Sequence, residues 1–267
     1  MHYEEHPVPA DLADVLRCTW SLVGDGAPGP ADTEPILPDG CPELILNNAA
    51  PFEERVNGVF RVQPTRFLHG QLTRALHLRP HGACDIIGVR LQPHGAYALF
   101  GPAAVVADDK VELRALDPVM DAAFAQAVQH TEHEARIAAV IALLRALPRH
   151  PVERPITDLL QGIAQGADDV SLATLKADAA LSPRQLERRF LAVVGLRPKA
   201  YARIVRLRRL IEHVRNGGAA SFAELAHAAG YYDQAHFNRD LKAFTGQAPR
   251  AYFGQELVLP PYFSGVR

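Results

Sequence analysis

The chain has 267 residues, 48% hydrophobic and 22% charged, with three cysteines and a net charge of −2. This balance supports a folded protein of about two domains and excludes a disordered chain, a disulfide framework and a zinc cluster built from cysteine alone. No run of about 18 apolar residues could span a membrane, and the acidic start MHYEEHPVPADLADV lacks the apolar core of a secretory signal, so a cytoplasmic protein with no membrane partner is expected.

The net charge hides an asymmetry. Residues 1–148 hold 11 Lys and Arg against 19 Asp and Glu, a net −8, whereas residues 149–267 hold 17 against 11, a net +6. An acidic half joined to a basic half points to two tasks, with a polyanion as partner of the second.

The first half reads as short extended runs between turn residues. Glu34–Leu37 and Glu43–Asn47 flank Pro38-Asp39-Gly40-Cys41-Pro42, where Pro presets φ and Gly supplies a positive one. Further strands are expected at Arg66–His69, Ala75–Arg79 and Asp85–Leu91, the last nearly continuous apolar sequence. Many short strands at this spacing suggest a barrel or sandwich.

Helical periodicity follows. Leu116, Val119, Met120, Ala123, Phe124, Ala127 and Val128 form one apolar stripe, opened by Asp117-Pro118. Thr131-Glu132-His133-Glu134 has the form of a capping box, and Ile137, Val140, Ile141, Leu144 and Leu147 continue on one face. The two stripes are expected to pack on each other and partly on a second subunit. Pro148 and Pro151 end the pattern, which places a domain boundary near 148–152.

The second half reads as all-helical and contains an internal repeat. At an offset of 51 residues, Ser182 matches Asp233, Leu186 Phe237, Arg188 Arg239 and Phe190 Leu241; Gly195, Pro198 and Tyr201 match Gly246, Pro249 and Tyr252. Upstream the offset is 50, with Leu172, Leu175 and Ala179 matching Phe222, Leu225 and Ala229. Each copy has the layout of a helix-turn-helix: a short helix (Ser171–Ala179 or Ser221–Ala229), a tight turn, then a helix capped by Ser182 or Asp233. Burying Leu186, Phe190 and Val193 turns Arg184 and Arg188 outward, flanked by Gln185 and Glu187. Burying Phe237, Leu241 and Phe244 exposes Ala235 and Arg239, with Gln234, His236, Asn238 and Lys242 beside them. Arginine can read guanine, and Asn or Gln can read adenine. Between the copies, Arg197–Arg215 reads as one helix of roughly 27 Å, long enough to hold two reading heads about one DNA turn apart. Its Arg203, Arg206 and Arg209 are candidate phosphate contacts.

The pattern Gly230-Tyr231-Tyr232-Asp233, Phe237, Arg239, Leu241-Lys242, Gly246, Pro249 and Tyr252 resembles the DNA-binding domain of AraC-type transcription regulators over about 100 residues. Ala180, Lys176 and Leu241 depart from the usual family residues. The stretches Leu37–Leu44, Gly70–Leu72 and Gly88–Pro93 look, more loosely, like the sensor region of some members. The resemblance implies an α+β two-domain protein: residues 1–148 a cupin-like β-barrel sensor with a helical linker, residues 149–267 an all-α domain of two helix-turn-helix units. It also implies a non-enzymatic, homodimeric transcription activator with double-stranded DNA, RNA polymerase and an unspecified small-molecule effector as partners, and no cofactor.

The first half also offers residues for other chemistry. His69, His77, His81 and His94 could converge on a metal inside a barrel, but none of their spacings is compact. Cys41 or Cys84 could sense oxidants as a thiolate, or simply fill core. Trp20 could line a ligand pocket or fill core. Asp39 and Glu43 are a formal carboxylate pair with nothing to show that they converge. The alternative function is a DNA-tethered enzyme or a metal or thiol sensor.

Overall fold

In the computed structural model the structure describes residues 1–25, 35–166, 181–215, 224, 230, 231 and 233–253. These fall into two compact units. The first holds residues 1–36, 41–71 and 76–151; the second holds residues 152–267 with two short segments, 37–40 and 72–75.

Among the described residues the first unit is built on ten strands: β1 (His2–His6), β2 (Leu16–Gly24), β3 (Pro35–Ile36), β4 (Glu43–Asn47), β5 (Glu53–Val56), β6 (Val59–Val62), β7 (Arg66–His69), β8 (Leu76–Arg79), β9 (Cys84–Leu91) and β10 (Lys110–Glu112). They form a six-stranded sheet, β1-β2-β9-β4-β7-β10, and a four-stranded one, β3-β8-β5-β6. The sheet-rich unit fits the cupin-like expectation, but the barrel is not closed. Among the described residues β1 pairs only with β2 and β10 only with β7, so the ends of the large sheet do not meet.

Strand register assigns the large sheet two different faces. One carries Leu44, Leu46, Leu68, Ile87, Val89 and Leu91, all buried. The ion pairs Arg66–Asp121 (2.7 Å) and Arg136–Asp85 (2.6 Å) and the rings of His6 and His133 (5.5 Å apart) tie this face to the linker helices. The other face carries Trp20, Gly88, Glu43 and Arg90 in neighbouring register, and Lys110 joins it to Glu54 of the small sheet. Trp20 lies flat against the β9 backbone: a Cβ at residue 88 would stand 2.0 Å from Trp20 Cε2. Only glycine permits that approach.

The helices are α1 (Gly95–Phe100), α2 (Leu113–Leu116), α3 (Pro118–Ala127) and α4 (His133–Ala146). Asp117 caps α3, accepting from the amides of Val119 (2.8 Å) and Met120 (3.1 Å). The apolar stripe is divided more finely than its periodicity predicts. Leu116 belongs to α2, Phe124, Ala127 and Val128 are buried, and Val119 is 79% exposed. The capping box at Thr131 does not form. Glu132 is the N-cap of α4 and makes no side-chain cap bond, while Arg136 Nε donates to the His130 carbonyl at 2.6 Å.

The second unit contains α5 (Arg154–Gln165), α6 (Pro183–Val194), α7 (Pro198–Arg215), α8 (Gln234–Thr245) and α9 (Pro249–Phe253). α7 packs against α5, α6 and α8. The leading helix of each expected helix-turn-helix, with Lys176 and Ala180, lies outside the described residues apart from Glu224, which is helical.

Two predictions follow from the first unit. Gly88→Ala must displace Trp20 and should lower stability by about 1–3 kcal/mol in denaturant unfolding; an unchanged midpoint would refute the close packing. Burial holds the His94 imidazole below its ordinary pKa. Below about pH 6.5 the unfolded chain then takes up a proton that the folded chain refuses, so this contribution to stability is lost as pH falls. His94→Gln should flatten the acid limb of a stability-versus-pH profile; an unchanged limb contradicts the assignment.

Candidate nucleic-acid interface

α6 starts at a reciprocal capping box. The Ser182 hydroxyl accepts from the Gln185 amide (3.3 Å), and the Gln185 side chain accepts from the Ser182 amide (2.8 Å). Pro183 sits at the first helical position, where no amide hydrogen is needed. Leu186, Phe190, Val193 and Val194 are buried, which leaves Arg184, Gln185, Arg188 and Leu191 exposed. The exposed face borders an open cleft of about 730 Å3 lined by Ser182, Arg184, Gln185, Glu187, Arg188, Leu191 and Arg197. Glu187 faces Arg197 (3.4 Å). Its carboxylate is thus engaged on the protein, and Gln185 has its carbonyl oxygen committed to the cap.

α8 repeats the arrangement. Asp233 accepts from the His236 amide at 2.6 Å. Phe237, Leu241 and Phe244 are buried, and Gln234, Ala235, Asn238, Arg239 and Lys242 are exposed. The two helices also end alike: Gly195 (φ 82°) and Gly246 (φ 76°) are left-handed C-caps. Tyr201 and Tyr252, the last matched pair, are both buried, and the Tyr201 ring lies 5.9 Å from that of Phe190.

The arginines of α7 are placed differently from the sequence expectation. Arg203 grips Asp240 of α8, with Nη2 2.7 Å from Oδ1. Arg206 is buried, its guanidinium 5.0 Å from the Tyr231 ring centre. Arg208 pairs with Glu212 at 3.4 Å. Arg209 donates through Nη2 to the carbonyls of Ile163 (3.2 Å) and Ala164 (2.5 Å), satisfying the C-terminal end of α5. A helix packed against three neighbours turns most of its circumference inward, so these cations serve its packing. Spacing missed Arg197, which lies beside Arg184 and Arg188 because it is the residue before α7.

Among the described residues no group of three or more His, Cys, Asp or Glu stands close enough to hold a metal ion. His81 lies 3.8 Å from Glu53, and His69 Nδ1 lies 2.9 Å from the Gly70 carbonyl. Burial pushes the Cys18 thiol up to about 12 and raises that of Cys84, which disfavours the reactive thiolate. Arg17 Nη1 reaches to 3.6 Å from Cys41 Sγ. Glu43 accepts from Trp20 Nε1 and Arg90, within the sheet face described above. No described helix is long and apolar enough to cross a membrane.

The engagement of the α7 arginines generates a test. Arg209→Ala should cost about 1 kcal/mol of stability by uncapping α5 while leaving the salt dependence of DNA binding unchanged. A slope shallower by about one would instead mark a phosphate contact.

Residues 175–255 match a family described as a helix-turn-helix domain, and residues 4–112 match a domain of unknown function (DUF6597). No curated protein matches the chain. Among solved structures, ToxT from Vibrio cholerae bound to (E)-4-(8-methylnaphthalen-1-yl)but-3-enoic acid is similar at a TM-score of 0.46 and 8% identity, covering 88% of this chain and 98% of that one. Unsaturated fatty acid bound wild-type ToxT is similar at a TM-score of 0.42 and 10% identity, covering 87% and 94%. The two N-capped helices that recur at a fixed offset lie inside the matched region, so the C-terminal part of the chain carries an AraC-type helix-turn-helix domain.

Proposed function

We propose that α6 and α8 read two blocks of double-stranded DNA about one helical turn apart, and that the N-terminal unit senses a small-molecule effector. The observation that carries the first part is the pair of N-capped helices exposing Arg184 and Arg188 in one copy and Asn238 and Arg239 in the other. α7, at 18 residues, is about 27 Å long and separates the heads on the scale of a DNA turn. Lys199 and Lys242 are exposed and replace the α7 arginines as proposed phosphate contacts. Gln185, Glu187, Gln234 and Ala235 complete the reading faces, Glu187 by orienting Arg197.

The sensing role is supported by the charged sheet face of the first unit. Trp20 Nε1 (3.3 Å) and Arg90 Nε (2.9 Å) both donate to Glu43, and the Tyr3 hydroxyl donates to Glu5 beside them at 2.6 Å. Such polar groups around an aromatic wall fit a polar effector. Trp20 is the only tryptophan, so an effector docking there should change the intrinsic fluorescence. We further infer a non-catalytic cytoplasmic homodimer, its contact including the exposed Val119 of α3, that activates transcription through RNA polymerase. The last role rests on the AraC-type resemblance.

The deciding experiment is selection of preferred sites from random DNA. Arg184→Ala or Arg188→Ala should relax preference over one block, and Arg239→Ala over a second block one turn away. Each lost arginine–guanine contact should weaken discrimination by about 1–3 kcal/mol. The first head, with two arginines, should carry more of the specificity. Loss in the same block for Arg188→Ala and Arg239→Ala would overturn the two-head reading.

A further inference from the structure

α6 and α8 are one helix used twice, so a position where they differ in charge is informative. At the repeat offset Arg189 is matched by Asp240. Each side chain leaves the reading face and meets a neighbouring helix. Arg189 Nη1 pairs with Glu153, the N-cap residue of α5. Asp240 receives Arg203 of α7, with Nε at 3.1 and 3.2 Å from its two oxygens and Nη2 at 2.7 Å. The same repeat position thus carries an ion pair in both copies, with the sign reversed.

We propose that this position keys each reading helix to its own support, and that Arg203 and Asp240 are positioning residues for base reading by α8. This rests on the reading of α6 and α8 as the two base-reading helices. The reversed sign works against exchange of supports. α6 set on the partner of α8 would bring Arg189 to Arg203, and α8 set on the partner of α6 would bring Asp240 to Glu153. Both are like-charge encounters, which discriminate against the wrong arrangement.

Burial separates the two pairs in strength. The Arg189 and Glu153 side chains are 37% and 49% exposed, so water and salt screen them. Arg203 is as exposed as Arg189, at 38%, but the Asp240 side chain is 5% exposed, and a carboxylate so enclosed is costly to leave without its cation. Arg203 also lies 5.3 Å from the ring centre of Phe244, a core residue of α8, so it holds that helix at two successive turns. His236 Nε2 stands 3.7 Å from the second Asp240 oxygen, and its ring meets that of Tyr231 at 5.2 Å. His236 follows Ala235 directly, so the network ends at the margin of the reading face.

The test uses the full-length protein and block-resolved selection from random DNA, with the salt slope measured on the selected site. Asp240→Asn should weaken base preference in the second block about tenfold, leaving the first block and the salt slope as in the wild type. Arg203→Lys keeps the charge but loses the two-pronged grip, and should show a smaller loss in the same block. The exchanged pair, Arg203→Asp with Asp240→Arg, should recover second-block preference relative to either single reversal. Glu153→Gln should change little. Equal loss in both blocks would mean a general loss of folding and overturn the proposal. So would a salt slope shallower by about one in Arg203→Gln, which removes the charge, or an exchanged pair that recovers nothing. A wild type that selects only one block would overturn the two-head reading itself.

Discussion

The second unit depends on how α7 is buried. Tyr201, Ile204, Val205, Leu207, Leu210 and Ile211 are all buried along it, and it packs against α5, α6 and α8. A helix covered on so many sides is normally apolar all round, yet this one carries Arg203, Arg206, Arg208 and Arg209. Cations cannot enter such a setting unpartnered. Each is met locally: a carboxylate on α8, the ring of Tyr231, Glu212 one turn on, and two carbonyls at the end of α5. α7 is therefore fastened to its neighbours by its charges as well as by its apolar stripe.

That fastening determines which charges remain for a polyanion. With the α7 arginines committed, the exposed lysines and arginines among the described residues from 152 onward are Arg184 and Arg188 on α6, Arg239 and Lys242 on α8, Arg197 and Lys199 at the start of α7, and Arg154 on α5. Positive charge then accompanies the base-reading side chains and is not spread along the support. On the proposed reading, phosphate contacts made there position α6 and α8, while Arg184, Arg188, Asn238 and Arg239 specify sequence. The N-caps at Ser182 and Asp233 and the glycine C-caps fix the beginning and end of each helix, so burial alone sets which face points outward.

Legibility in the sequence followed physical origin. The duplicated helices could be read because caps, glycines and apolar stripes are local signals, and they recur at one offset. β4 was legible to the residue, and β9 to within one, for the same reason. β2 carried no such signal. Its Thr19 and Ser21 are polar in type yet buried, so neither alternation nor an apolar run marks the strand. The fate of Arg203 was not legible because its partner lies 37 residues away on another helix; spacing tells which face a residue takes, not what the fold brings to it. Val119 shows the converse. Its stripe is real, but the chain covers only the C-terminal part of that stripe, and Val119 stays exposed.

The central claim is that one rigid helix spaces two reading heads on DNA. Hydroxyl-radical footprinting of the full-length protein on its selected site tests this most directly. The account predicts two protected blocks on one face of the duplex, centred about 10–10.5 base pairs apart, with Arg188→Ala weakening one and Arg239→Ala the other. A single protected block that both substitutions weaken together would contradict it.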